Sequence, residues 1–112
     1  MDTGVIYLAT NNINKKQYIG QAISISSNGR KWGSKRRWQS HIKCAKNNTF
    51  QCRLLENAIN KYGPENFILK DVKTCLLNDL NYYEQEYIKM YNTLAPNGYN
   101  LMSGGEMDVN IL

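Results

Sequence analysis

The reading turns on residues 4–21, GVIYLATNNINKKQYIGQ. Gly4 to Ala9 is apolar and partly β-branched, and Tyr18 to Ile23 returns to that character. Between them, Thr10 to Gln17 is rich in Asn and Lys, which favour loops. Two apolar runs around a polar gap predict an antiparallel hairpin with a loop longer than the two-residue minimum. Paired in this way, Tyr7 and Tyr18 reach the same sheet face. Two adjacent phenols near a basic segment are unusual as core packing. A phenol titrates near pH ~10, and a nearby cation or metal-bound hydroxide could let one orient or deprotonate a water.

Downstream of the hairpin the pattern changes period. Ser24 to Gly33 is Ser-, Asn- and Gly-rich and reads as a basic loop. Ser34 has N-cap chemistry and precedes a run without Gly or Pro, which predicts a helix over about 35–46 with Trp38, Ile42 and Ala45 on one stripe. Thr49 is placed to cap a second helix, whose apolar face is Leu54, Leu55, Ala58, Ile59 and Tyr62. Gly63-Pro64 stops it. Phe67 to Thr74 reads as a third strand. A last helix over about 80–91 carries Leu80, Tyr83, Tyr87, Ile88 and Tyr91. Pro96-Asn97-Gly98 is a turn, Tyr99-Asn100-Leu101 returns to the body, and Ser103-Gly104-Gly105 ends the ordered part. The order β-β-α-α-β-α predicts an α+β fold, a three-stranded antiparallel β-sheet flanked by helices.

The chain's 112 residues suit one domain with one core, over residues 1–104, followed by a C-terminal tail or the start of a linker over 105–112. No run approaches the ~18 apolar residues of a membrane span, and the first residues lack the basic start of a signal peptide. An intracellular location, cytoplasm or nucleus, is the expectation, with no membrane partner. Cys44, Cys52 and Cys75 are odd in number and form no CxxC pair, in keeping with reduced, mostly buried thiols. With His41 they could supply four zinc ligands, but the spacing matches no compact knuckle.

Charge is unevenly spread. The net charge is +5, yet from Thr3 to Leu55 there are ten Lys or Arg and no carboxylate. Eight acidic residues follow from Glu56 onward. A half-chain of one sign, with Arg30, Lys31, Trp32, Lys35, Arg36, Lys43 and Lys46 in its densest part, predicts a face for a polyanion, nucleic acid above all.

Chemistry could come from two helices. In KRRWQSHIK, Arg37 and His41 are spaced i, i+4 and share a face. Arg fits a phosphate with a planar, permanently charged fork, and His can donate to phosphate or move a proton. The alternative is a basic helix lying on a phosphate backbone without reaction. In NYYEQEYIKMY, Glu86 is placed to be solvated, whereas Glu84 falls at the edge of the apolar stripe. A carboxylate there is costly unless a divalent metal or an Arg answers it. A salt bridge across the helix packing is the other reading.

Taken in order, Gly4-Val5-Ile6-Tyr7, Tyr18-Ile19-Gly20, Arg37-Trp38 with His41, Glu84 and Gly98-Tyr99-Asn100 resemble the GIY-YIG nuclease superfamily, most of all the catalytic domains of homing-type members. The resemblance spans residues 3 to 104. It implies hydrolysis of phosphodiester bonds in DNA, duplex DNA as partner, and one divalent ion, Mg²⁺ or Mn²⁺. By position, Glu84 would hold the metal, Arg37 would stabilise charge on the phosphate, and Tyr7 and Tyr18 would flank the attacking water. His41 would assist at the phosphate, Asn100 would brace the site, and Gly4 and Gly20 would be structural. Compared with the family pattern, residues 22–33 look inserted. With Arg30, Lys31 and Trp32 they are expected to contact DNA. A further histidine that some phage homing members carry would fall near Phe50 and is missing. A structure-specific repair or restriction nuclease, or a non-catalytic nucleic-acid-binding module on the same scaffold, remain as alternatives.

Overall fold

A computed structural model describes residues 2–25 and 28–101. The expected Ser103-Gly104-Gly105 terminus and the tail over 105–112 lie outside the described residues.

Three strands, β1 (Thr3–Asn11), β2 (Gln17–Ile23) and β3 (Phe67–Leu76), form an antiparallel sheet in the order β2-β1-β3. The three α-helices are α1 (Gly33–Asn47), α2 (Arg53–Tyr62) and α3 (Leu80–Tyr91). Short 3₁₀ turns at Pro64–Asn66 and Leu77–Asp79 bracket β3. The α+β fold and its element order are those expected.

The central strand explains its own sequence. β1 is paired on both edges and covered on both faces, so it reads as a nearly continuous apolar run rather than an alternating one. Val5, Tyr7 and Ala9 point to one side, where they pack with Trp38 and Ala45 of α1 and Leu55, Ala58 and Ile59 of α2. Ile6 and Leu8 point to the other, where they meet Ile19, Leu80 and Ile88. The result is three layers, with α1 and α2 on one face of the sheet and α3 on the other. Burying each aliphatic side chain of the α3 layer contributes about 1.5–3 kcal/mol before entropy is counted.

Helix faces follow the same logic. α1 buries Ser34, Trp38, His41 and Ala45, and α3 buries Leu80, Glu84 and Ile88 at i, i+4, i+8. One polar residue with acid-base chemistry therefore lies on the inward face of each. Gly63 closes α2 at φ 87°, ψ 137°, a combination open to glycine without strain and to few other residues.

Two expected caps are different in the structure. Ser34 is not the N-cap of α1, which begins at Gly33 after Trp32. The Ser34 hydroxyl instead donates to Asp71 Oδ1 on β3 at 2.5 Å, a charge-assisted bond that ties α1 to the sheet. Thr49 does not cap α2, which starts four residues later at Arg53. There the Glu56 carboxylate reaches back and accepts from the Gln51 and Cys52 N–H groups at 2.8 and 3.1 Å. β3 also runs two residues beyond Thr74, to Leu76. Among the described residues no helix is long and apolar enough to cross a membrane.

Candidate active site

Strand register sets the positions of the two phenols. Tyr7 lies opposite Gly20 and Ala9 opposite Tyr18, so both tyrosines project from the α1/α2 face, as the hairpin predicts. Their ring centroids are 6.2 Å apart. Gly20 leaves the room for this: a Cβ there would overlap the Tyr7 ring and hydroxyl and the Tyr18 ring. Gly4 makes a similar close approach to Leu80 of α3.

α1 brings its two candidates to the same place. His41 is fully buried, and its Nε2 lies 3.0 Å from the Tyr7 hydroxyl. Its ring also meets the edge of Tyr18 at 5.8 Å between centroids. Arg37, one turn earlier and half-buried, donates from Nη1 to Gln51 Oε1 at 3.2 Å. Burial works against the Arg37 charge. The groups around it that become anionic, first Tyr7 and Tyr18, nonetheless raise its pKa above the ordinary arginine value.

The first turn of α2 and the two residues before it supply polar partners, of which the sequence reading did not single out Gln51 and Glu56. Glu56 Oε2 lies 2.8 Å from His41 Nδ1, and both side chains are wholly buried. The Tyr18 hydroxyl lies 3.3 Å from the Cys52 thiol. Gln51, Cys52 and Glu56 thus hold Arg37, Tyr18 and His41 respectively. A signal for Glu56 was present: it is the first carboxylate after Asp2, and it falls among Leu55, Ala58 and Ile59 on the apolar face.

Asn100 holds the site from the sheet edge. Its Nδ2 donates to Ile19 O and its Oδ1 accepts from Ile19 N–H, each at 2.9 Å. It therefore pairs with β2 as a neighbouring strand would, between Tyr18 and Gly20. Tyr99 N–H adds a bond to Gln17 O. This segment covers the otherwise free edge of β2.

Glu84 comes from the opposite layer, on α3, which packs chiefly against β2. It is buried at 5% exposure, and its charge is among those that push up the Tyr7, Tyr18 and Cys52 pKa values. Glu84 therefore lies within electrostatic reach of both phenols. Glu86 is at the surface beside Lys89, 3.7 Å away.

The protonation states follow from burial. Neither phenol is open to solvent, and desolvation raises both well above the ordinary tyrosine value, with Arg37 opposing the shift at Tyr7. Both hold their protons at neutral pH. Desolvation lowers the His41 pKa; the Glu56 hydrogen bond opposes this and the Arg37 charge reinforces it. His41 is then a neutral imidazole facing a phenol. Burial likewise raises the Cys52 thiol.

The four side chains weighed as zinc ligands do not assemble. Cys44 lies on α1 and Cys75 on β3, outside the one His/Cys/acid cluster of the described residues, formed by His41, Cys52 and Glu56 with ligand atoms within 4.8 Å of one another. Its members are engaged with one another and with Tyr7 and Tyr18. The residues expected to contact nucleic acid divide by exposure. Arg30, Lys31, Lys35, Arg36, Lys43 and Lys46 are exposed, whereas Trp32 is half-buried against the core. Between β2 and α1 the chain is tied by an Ile25–Lys31 bridge and a 2.8 Å bond from Trp32 N–H to Ser24 O.

The architecture is a three-stranded antiparallel sheet between helical layers, with two tyrosines, a histidine and an arginine gathered near one point. A mutant form of the catalytic domain of intron endonuclease I-TevI has this fold, with a TM-score of 0.73 and 24% identity over 93% of this chain and 97% of that one. The catalytic domain of homing endonuclease I-TevI matches at a TM-score of 0.69 and 24% identity, over 88% of this chain and 98% of that one. At that identity the likeness establishes the fold. In sequence, the chain is similar to the uncharacterized protein R502 of Acanthamoeba polyphaga mimivirus, 33% identical over 107 residues and 91% of the chain. The chain spans 42% of the length of that relative. No family model matches the chain.

Proposed function

We propose that this chain is a metal-dependent endonuclease domain that hydrolyses phosphodiester bonds of duplex DNA. The observation that carries the reading is the convergence of Tyr7, Tyr18, Arg37 and His41 at one point, within electrostatic reach of the buried Glu84. A binding module needs no carboxylate buried near two phenols. The acid-free half of the chain and its exposed cations add support, since phosphate contacts supply most nucleic-acid affinity.

The buried carboxylate of Glu84 fits a hard ion that keeps most of its waters. A carboxylate within electrostatic reach of two phenols suits Mg²⁺ or Mn²⁺ better than a soft metal, and among the described residues the one other buried acid is Glu56. Glu56, the other buried acid, is already bonded to His41 and two backbone N–H groups. A bound ion would polarise the phosphate and ease departure of the 3′ oxygen. Arg37 would exchange its bond to Gln51 for a phosphate oxygen, stabilising charge there. Because both phenols are buried, the attacking water would enter with the substrate as Arg37 moves. Tyr7, bonded to a neutral His41, is the phenol suited to take that water's proton. Tyr18 would help orient the water, and Asn100 would keep β2 in register.

Plasmid nicking with Mg²⁺ or Mn²⁺ tests the reading. Glu84→Ala and Arg37→Ala should each lower the rate by ~100-fold or more while leaving the fold intact by circular dichroism. Variants that cut as well as the unaltered protein would show the site to be misassigned. A protein that binds duplex DNA with steep salt dependence yet never cuts would be a binding module instead.

A further inference from the structure

We propose that Glu56 is a positioning residue that fixes the tautomer of His41, making Tyr7, His41 and Glu56 a relay for the proton of the attacking water. The proposal deepens the nuclease reading above and rests on it for the catalytic step. The tautomer itself can be tested without any reaction.

The geometry leaves little choice. Glu56 Oε1 accepts from two backbone N–H groups, Gln51 and Cys52. Its Oε2 faces His41 Nδ1 at 2.8 Å. A carboxylate only accepts, so Nδ1 must carry the proton. In a neutral ring Nε2 is then a bare lone pair, and it lies 3.0 Å from the Tyr7 hydroxyl. Tyr7 donates and His41 accepts. Reversing the tautomer would turn Nε2 into a donor and leave the Tyr7 proton with no acceptor. None of the three side chains exposes more than a trace of surface, so no solvent competes for these bonds.

The step balances without further reactants. The water oxygen forms a bond to phosphorus and the P–O3′ bond breaks, its electron pair leaving on the 3′ oxygen, which takes a proton from solvent. The water proton passes to the Tyr7 oxygen as the Tyr7 proton passes to His41 Nε2. Glu56 stabilises the resulting imidazolium, which returns the proton to solvent after product leaves. This is the logic of a buried carboxylate orienting a catalytic histidine.

Glu56→Gln discriminates sharply. Its side-chain oxygen can still serve the two backbone N–H groups, which turns its NH₂ toward Nδ1. His41 must then accept at Nδ1 and carry its proton on Nε2. The chain has one histidine, so long-range ¹H–¹⁵N correlation of labelled protein reads the tautomer without ambiguity. The expected result is Nδ1–H in the unaltered protein and Nε2–H in Glu56→Gln, with nicking slowed by ~10²–10⁴-fold and duplex binding retained. Nε2–H in the unaltered protein would overturn the proposal. So would a Glu56→Gln variant that keeps Nδ1–H or cuts at the original rate. Should Glu56→Gln fail to fold, Tyr7→Phe decides. Nδ1–H is retained there if Glu56 sets the tautomer, and a shift to Nε2–H would show that Tyr7 sets it. If the unaltered protein shows no nicking, the nuclease reading fails, while the tautomer measurement still supports or overturns the part assigned to Glu56.

Discussion

Asn100 offers a sharp test of how the site is held together. Its amide makes two 2.9 Å bonds to Ile19, one in each direction, and the residue is buried. Asn100→Ala strips both and leaves an N–H and a C=O of β2 without partners. At about 1–2 kcal/mol per stranded group, the cost is about 2–4 kcal/mol. The entropy of unfolding for a chain of this size is about 0.23 kcal/mol/K, so the melting midpoint should fall by roughly 9–17 °C. Asn100→Asp separates the two bonds. Its ionised carboxylate can accept from Ile19 N–H but faces the Ile19 carbonyl with a second acceptor. Protonated, it offers one donor and one acceptor and can reproduce the amide pattern. The folded-state pKa of this Asp is therefore raised above its unfolded value of ~3.9. Its stabilising contribution is present below the unfolded value and lost as pH rises through the folded one. Thermal denaturation by circular dichroism, with variant and unaltered protein compared at each pH, should show a deficit at pH 7 that narrows toward pH 4. An Asp variant as stable as the unaltered protein at pH 7, or a deficit that ignores pH, would refute the two-way pairing with Ile19.

Two further predictions concern Gly20 and His41. Gly20→Ala would force its methyl into the Tyr7 and Tyr18 rings; we expect a loss of about 1–3 kcal/mol in urea unfolding, together with loss of nicking, because the rings can yield only by leaving their places. His41 should make stability fall in mild acid. Its folded pKa is lowered by burial, with Glu56 opposing and Arg37 reinforcing the shift, so the unfolded chain binds the proton first as pH drops below ~6.5. The urea midpoint should therefore decline as pH falls from 6.5 through the lowered value. His41→Gln should lose that part of the slope, and an unchanged slope would place the acid sensitivity elsewhere.

Much of this molecule was legible before folding. The hairpin, three helices and third strand follow from hydrophobic period, because each element must turn its apolar residues to one side or, for β1, to both. Tyr7 and Tyr18 could be assigned one sheet face from strand alternation alone. Arg37 and His41 could be assigned one helix face from their spacing. The caps differ from expectation because local propensity alone points to Ser34 and Thr49. The nearer competitors, Asp71 on β3 and Glu56 on α2, are distant in sequence or reach backward along the helix.

The sequence by itself determined the elements, the uneven charge and which residues could do chemistry, since these depend on composition and on contacts within a few positions. Only the tertiary structure decided what those residues do to one another. Tyr7 and His41 are 34 positions apart, and Ile19 and Asn100 81 apart, yet each pair is in hydrogen-bond contact. Such contacts arise when two helical layers close on a sheet, and no local pattern encodes them. That closure removes water from the phenols and the imidazole, which makes their protonation depend on each other. It also turns Glu56 from an acid on an apolar helix face into the residue that orients His41.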